Sequence, residues 1–222
     1  MEIENWKSFT HLFFLRYFFY CFYCFIDLLK RAMTIQLMDI IDYTTSDGPG
    51  FRTSVYCAGC NHQCKGCQNP HTWNFNGGKP TDINEIYAHI IANEMSDVTF
   101  SGGDPMYQPI AFTELAKMIK KNTDKTIWCY TGFTVEQILK NPVQSQLLGW
   151  IDVLVDGRFD ENLKDPDLLF MGSSNQRLID AQASLREHRA VIYDYEPYNL
   201  RQPACVIHDN SKILKAHKEF AW

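Results

Sequence analysis

Cys60, Cys64 and Cys67 form a C-x3-C-x2-C array, and Cys57 stands just before it, so four of the chain's 8 cysteines fall within residues 57–67. Thiols crowded this closely, in a chain without a convincing secretory signal, make a metal or cluster site in a reducing compartment rather than a disulfide framework. Three thiolates suit a cubane [4Fe–4S] cluster in which each iron wants one protein ligand. One iron then stays open to a small molecule, much as a catalytic zinc keeps one free position. Gly59 and Gly66 give the loop the backbone freedom to bring three sulfurs together. The alternative is a structural zinc site on all four cysteines. Zinc usually draws its pairs from separated segments, and four ligands in so short a stretch would strain a tetrahedron. Cys57 shares a strand face with Val55 by alternation and reads as a buried apolar thiol. His62 and His71 read as surface-loop histidines. Cys21 and Cys24 have no second ligand pair nearby in sequence and do not read as a metal site.

The elements that must position this loop alternate between strand and helix. Residues 35–41 (IQLMDII) and 52–57 (RTSVYC) are strand-like, joined through a turn at 46–50 (SDGPG). Residues 81–95 form the clearest helix, with Ile83, Ile86, Tyr87, Ile90 and Ile91 on one face and Asp82 with Glu85 as a capping box. Residues 98–100 (VTF) are a short buried strand ending at Ser101-Gly102-Gly103-Asp104-Pro105. A helix over 111–121 turns Leu115, Met118 and Ile119 inward. Then come a strand at 126–130 (TIWCY), stopping at Thr131-Gly132, and a short helix around Val135, Ile138 and Leu139, ended by Asn141-Pro142. A strand at 151–155 (IDVLV) ends at Asp156-Gly157, and 190–193 (AVIY) is the last strand. This alternation predicts an α/β protein with a mainly parallel sheet. The cysteine loop, residues 101–104 and residues 155–157 all follow directly on strands. Strand C-termini are where parallel α/β folds bind ligands, so the candidate chemistry converges on one edge.

With 45% hydrophobic and 21% charged residues, the composition is globular, which excludes collagen-like, coiled-coil and disordered chains. A net charge of −5 excludes a nucleic-acid partner held by a general basic field. Residues 1–32 are atypical. The apolar run at 17–26 (YFFYCFYCFI) is half the roughly 20 residues a bilayer span needs, and Arg16 and Asp27 bound it. A charge near the middle of a span costs about 2.5–3.5 kcal/mol. Glu2 and Glu4 do not suit a signal peptide. A membrane-associated helix, an extra helix and a misassigned upstream start remain as readings. The last is favoured, because an ordinary soluble pattern begins at Met33. The expected division is an apolar extension over 1–32, a catalytic domain over 33–193 and a tail over 194–222, in a cytoplasmic protein with no membrane partner.

The cysteine loop and the Asp47-Gly48-Pro49-Gly50-Phe51-Arg52 stretch before it resemble the radical S-adenosylmethionine (SAM) superfamily, in particular its glycyl-radical-enzyme activases. Residues 47–70 as a whole are similar to the activase signature. Further on, residues 101–105, Tyr130-Thr131-Gly132, residues 153–159 (VLVDGRF) and residues 172–177 (GSSNQR) are similar to motifs of the activating proteins of anaerobic (class III) ribonucleoside-triphosphate reductase. The resemblance covers roughly residues 33–177.

It implies a partial (βα) barrel of the radical SAM type with a mainly parallel sheet. It implies a [4Fe–4S] cluster on Cys60, Cys64 and Cys67, with the methionine part of SAM on the open iron. Gly102, Gly103 and Asp104 would support the SAM amino group, so that Gly103→Val would weaken SAM binding and spare the cluster. Gly66, Cys67 and Gln68 would meet the adenine side. Many superfamily members carry an aromatic residue just before the third cysteine; this chain has Gly66, so only backbone contacts remain there.

The implied partners are the large subunit of anaerobic ribonucleoside-triphosphate reductase and an external one-electron reductant. The implied reaction cleaves SAM to methionine and a 5′-deoxyadenosyl radical, which takes hydrogen from a backbone glycine of the partner. No catalytic residue beyond the cluster ligands is expected. Asp47 and Arg52 would be structural or partner-facing, their plain readings being a turn aspartate and a solvated strand-end arginine. Asp156 would be a SAM-side contact or a cap on the next segment. Without the resemblance, residues 172–177 read as solvated surface. One rival is an activase of another glycyl radical enzyme such as pyruvate formate-lyase. The 172–177 pattern weighs against it, as does the lack of a cysteine-rich insert, since only Cys129 and Cys205 follow Cys67. The other rival is a non-catalytic zinc-binding module.

Overall fold

A computed structural model describes residues 33–195. The readings of residues 1–32 and of most of the tail lie outside the described residues. One seven-stranded sheet contains β1 (Thr34–Thr44), β2 (Arg52–Cys57), β3 (Lys79–Asp82), β4 (Asp97–Gly102), β5 (Ile127–Tyr130), β6 (Val153–Asp156) and β7 (Arg177–Asp180). Its order is β3-β1-β2-β4-β5-β6-β7. The helices are α1 (Ile83–Ala92), α2 (Pro109–Asn122), α3 (Val135–Leu139), α4 (Gln144–Leu148) and α5 (Ala181–Glu187).

The inner ladders β2–β4, β4–β5 and β5–β6 are parallel. The outer ladders β1–β2, β1–β3 and β6–β7 are antiparallel. The reason lies in the connections. A parallel return needs a crossover of a dozen or more residues, usually helical. α1, α2 and the α3–α4 pair supply the three crossovers, whereas residues 157–176 contain no α-helix and bring the chain back antiparallel as β7.

Two edges escape the sequence pattern. β3 is a polar, mostly exposed KPTD segment with Pro80, tolerable because it lies at the sheet edge. β7 takes the place expected for residues 190–193, which contribute a single bridge, Ile179 to Ile192. α5 buries Ala181, Ala183 and Ser184, residues too small to show an apolar stripe, and Asp180 caps it by accepting from Ala183 N. α1 is shorter than its apolar pattern. Asp82 caps it through Asn84 N, Ile83, Ile86 and Ile90 are buried, and Ile91 is exposed.

One sheet face carries Val55, Cys57, Val98, Phe100, Ile127, Cys129 and Leu154, packed under α1 and α2 through Ile86, Ile90, Phe112, Leu115 and Ile119. A smaller cluster joins Trp128, Val153, Val155 and Leu178, with Tyr130 and Phe170 packed against it. Arg52 lies over the Trp128 ring at 5.6 Å, and it is wholly buried rather than solvated. Its Nε donates to Thr99 Oγ1 at 2.6 Å and its Nη2 to Thr126 O at 3.1 Å. The same guanidinium reaches Val98 O at 2.5 Å and Pro49 O at 3.3 Å. Burial pulls its pKa down to about 10, still far above neutral pH. Gly48 is required beside it, because a Cβ there would lie 2.6 Å from Arg52 Cδ. No described helix is long and apolar enough to cross a membrane.

Arg52→Leu keeps bulk but leaves buried carbonyls without a donor, each costing about 1–3 kcal/mol. The variant is expected to lose at least about 3 kcal/mol in urea denaturation. A loss too small to measure would show that these carbonyls find other donors.

Candidate cluster and ligand site

A cavity of about 270 Å³ opens at the C-terminal ends of β2, β4, β5 and β6. Cys60, Cys64 and Cys67 all line it, together with His62 and Gln68 from the same loop. Ser101-Gly102-Gly103, Tyr130-Thr131-Gly132, Phe159 and Gln176 form further walls, and Asp47 and Tyr56 reach in from the β1–β2 side. Cys57 does not line the cavity. It is sealed in the core at 0% exposure, and burial pushes its thiol pKa up. Cys129 is equally buried in the core. All five described cysteines are free thiols.

Backbone bonds fix the cysteine loop. Gly59 N donates to Thr72 O at 2.7 Å and Cys60 N to Trp73 O at 3.1 Å. On the other side the end of β4 is locked to the loop: Gly103 N donates to Cys57 O at 2.7 Å, and Asp104 N to Gly59 O at 3.0 Å. This approach is what the two glycines permit. A Cβ on Gly103 would sit 2.6 Å from Gly59 O, and one on Gly102, at φ +99°, 2.5 Å from Cys57 N. Substitution at Gly103 therefore disturbs the cysteine loop itself, contrary to the expectation that the cluster would be spared.

Asp104, expected to face the ligand, is 1% exposed and is not part of the cavity wall. Its Oδ1 accepts from Met106 N at 2.9 Å, and its Oδ2 from Thr131 Oγ1 at 2.9 Å and Gly132 N at 3.0 Å. His62 Nε2 lies 3.0 Å from the same Oδ2. The carboxylate is thus spent within the protein. Gly66 is exposed and does not line the cavity, while Cys67, Gln68, Gly102 and Gly103 do. His62 is no surface histidine: its ring packs edge-on to Phe133 at 4.6 Å and against Tyr107 at 5.7 Å. Its place inside the C-x3-C spacing was the one available clue.

Asp156 is buried and lies outside the wall. It accepts from Val135 N at 2.7 Å at the start of α3 and pairs with Arg177 at 2.5 Å. It therefore caps α3, which precedes β6, rather than the segment after it. Arg177 also holds Glu136, and its hydrogen bonds pull the Glu136 pKa down to about 2. Residues 172–177 are only partly solvated surface, with Ser174 and Asn175 exposed. Ser173 is fully buried, and Gln176 Oε1 accepts from Gly172 N at 2.9 Å while its Nε2 donates to Gly157 O at 3.0 Å. Asp47 accepts from Ser54 Oγ and Tyr56 OH, both at 2.7 Å.

Three free sulfurs on one short loop, opening into one cavity with the other two described cysteines sealed away, fit a cluster with three protein ligands. Burial pushes the Cys60 thiol up to about 11, so it is protonated at neutral pH until a metal displaces the proton. A second donor group, Cys60, His62 and Asp104, brings its ligand atoms within 4.8 Å of one another. There His62 and Asp104 are already bonded to each other.

The fold and site define a protein built around a single cluster loop at the ligand edge of an α/β sheet. Residues 46–179 match the family model described as a 4Fe-4S single cluster domain. The anaerobic ribonucleoside-triphosphate reductase-activating protein of Escherichia coli (strain K12) is 36% identical over 141 residues, which cover 59% of this chain and 88% of that protein. Its counterpart in Pasteurella multocida (strain Pm70) is 34% identical over 152 residues, covering 63% of this chain and 95% of that protein. That of Enterobacteria phage T4 is 34% identical over 139 residues, covering 60% and 85%. The chain belongs to the 4Fe-4S single cluster domain family and to the family of these reductase-activating proteins.

Two outcomes are expected from iron and sulfide analysis after anaerobic reconstitution. Replacing Cys60, Cys64 or Cys67 with Ser removes most of the bound iron, while Cys57→Ala retains it; the reverse pattern would overturn the ligand set. Gly103→Val loses iron too, because its side chain has no room beside Gly59. A Gly103→Val protein with its full iron content would show that the loop yields without losing the site.

Proposed function

We propose that this chain activates an anaerobic ribonucleoside-triphosphate reductase by generating a glycyl radical on its large subunit. It would do so with a [4Fe–4S] cluster on Cys60, Cys64 and Cys67 and with SAM in the adjoining cavity. The observation that carries the reading is the convergence of those three thiols, without Cys57 or Cys129, on a cavity at the strand C-termini. Held by Cys60, Cys64 and Cys67, such a cluster would supply the one electron, drawn from an external reductant, that cleaves the C5′–S bond of SAM to methionine and a 5′-deoxyadenosyl radical, and that radical would take a hydrogen atom from the partner's glycine Cα.

The chain's own residues bind, orient and exclude water. Among the described residues lining the cavity, Asp47 is the one carboxylate, and no Lys or Arg lines it. That balance suits a ligand carrying a sulfonium and an ammonium. Asp47 is thus better placed than Asp104 to meet positive charge. Gly102 and Gly103 present backbone to the cavity on the side of the cysteines. The same reading takes β2, β4, β5 and β6 with their crossover helices as a partial (βα) barrel of the radical SAM type, extended at its edges by antiparallel strands. It places the protein in the reducing cytoplasm, where free thiols persist.

The Cys60, His62 and Asp104 group gives a zinc-binding module a specific observation in its favour. Against it, Asp104 Oδ2 already accepts from Thr131 and Gly132, and His62 is paired with that same oxygen.

The test is anaerobic incubation of the reconstituted protein with SAM, dithionite and a class III reductase. The expected result is a glycyl doublet in the EPR spectrum of the reductase, with methionine and 5′-deoxyadenosine formed. A doublet on pyruvate formate-lyase but not on the reductase would favour the first rival. One zinc per chain and no iron after anaerobic purification would sink the radical reading.

A further inference from the structure

Gly66, immediately before the third cysteine of the array, has φ +74°. A Cβ built there would lie 3.3 Å from Phe159 Cε1 and 3.0 Å from Glu161 Oε1. From another side, a Cβ on Gly172 would lie 3.0 Å from Phe159 Cδ2 and 3.2 Å from Cε2. Two glycines far apart in sequence thus leave room for one ring. Phe159 comes from the segment after β6 and sits beside the cysteine loop, in the space a side chain at position 66 would take.

That segment is fastened to the cysteine loop on both sides of the ring. Arg158 Nη2 donates to His62 O at 2.5 Å, and Glu161 pairs with Lys65 at 2.9 Å. Asp160 N donates to Ser173 Oγ at 3.1 Å, tying the same segment to the 172–177 wall. The Lys65–Glu161 pair is exposed and adds little energy, but all three contacts fix the direction of the chain.

Phe159 is half-buried and lines the cavity. It belongs to neither core cluster, and among the described residues its ring pairs with no other aromatic. The other rings in the wall are committed. Tyr56 donates its hydroxyl to Asp47, and Tyr130 donates its own to Phe170 O at 2.9 Å while packing with the Trp128 cluster. His62 is held by Asp104, Phe133 and Tyr107. Phe159 has no polar tip to satisfy, so what it offers the cavity is an apolar π-face.

We infer that the Phe159 ring is the stacking surface for the purine of the nucleoside ligand, supplied from the far end of the domain in place of a side chain at Gly66. This rests on the SAM reading above, since the purine is the one planar aromatic group SAM carries. The two ends of the ligand are then held by different segments, the methionine end by the cysteine loop and β4, the purine by the segment after β6.

Anaerobic equilibrium dialysis with SAM, and separately with 5′-deoxyadenosine, tests this. Stacking on an aromatic side chain is worth about 1–3 kcal/mol per base, so Phe159→Ala is expected to weaken both probes roughly 5- to 150-fold. Phe159→Tyr and Phe159→Trp keep most of the affinity, Phe159→Leu loses it, and iron content and cluster spectrum stay unchanged throughout. Wild-type protein that binds SAM, with Phe159→Ala or Phe159→Leu binding both probes equally well, overturns the stacking role alone. Loss of affinity in Phe159→Tyr and Phe159→Trp as well overturns it in favour of a packing role. Wild-type protein with intact cluster that binds no SAM overturns this inference and the SAM reading together.

Discussion

A buried carboxylate must be matched by donors, because an unpaired charge in a protein interior costs several kcal/mol. Asp104 meets that demand at the point where three segments come together. It draws on Thr131 and Gly132 at the end of β5, on Met106 in the turn after β4, and on His62 in the cysteine loop. None of these segments could move far without stranding the charge. The cysteine loop has little regular structure of its own, so its shape depends on this anchor and on the Gly103-to-Cys57 and Asp104-to-Gly59 backbone bonds beside it. The residue expected to touch the ligand instead holds together the wall that the ligand would meet.

Two further buried charges act at other places. Arg52 spans the starts of β2 and β4 and the residue before β5, and its bond to Pro49 O folds the 46–50 turn back over the sheet. The Thr99 hydroxyl holds the same turn through Asp47 O at 2.8 Å, which leaves the Asp47 carboxylate against Ser54 and Tyr56 at the cavity. Asp156 joins α3 to β7 through Val135 N and Arg177. The Arg177–Glu136 contact at its rim is half-exposed, so the solvent screens it and the buried Asp156 side carries more of the pairing.

What the sequence made legible follows from where the signal is local. β2 runs over Arg52–Cys57 as its alternation reads, because apolar and β-branched residues followed by a glycine-bearing loop mark a strand locally, although its polar positions are buried as well. The strand-then-glycine endings of β4 and β6 were readable for the same reason. β3 and α5 were not, since a polar edge strand and a helix packed through alanine and serine lack periodic apolar residues. The cysteine array announced the site, but the partners that shape it lie far away in sequence. His62 to Asp104 spans 42 positions, and Arg158 to His62 spans 96. Arg52 looked solvated because it is a charged residue at a strand end; its burial is decided by Val98, Thr126 and Trp128, which no local window contains.

The glycines make the same point from the opposite direction. Gly66, Gly102, Gly103 and Gly172 look in sequence like loop flexibility or like contacts offered to a ligand. In space each is a place where a side chain is missing so that another group can come close: the cysteine-loop backbone against Gly102 and Gly103, the Phe159 ring against Gly66 and Gly172. A loop whose backbone is in van der Waals contact with the end of β4 and with an aromatic ring has few other conformations to adopt, and removing alternatives is what gives three flexible thiols one shared direction. Their chemistry then needs little more from the chain. Burial pushes the Cys60 thiol up, so a metal would have to drive its deprotonation, and the cavity beyond carries Asp47 as its one carboxylate among the described residues. The selectivity of the site is therefore a consequence of close backbone packing first and of charged side chains second.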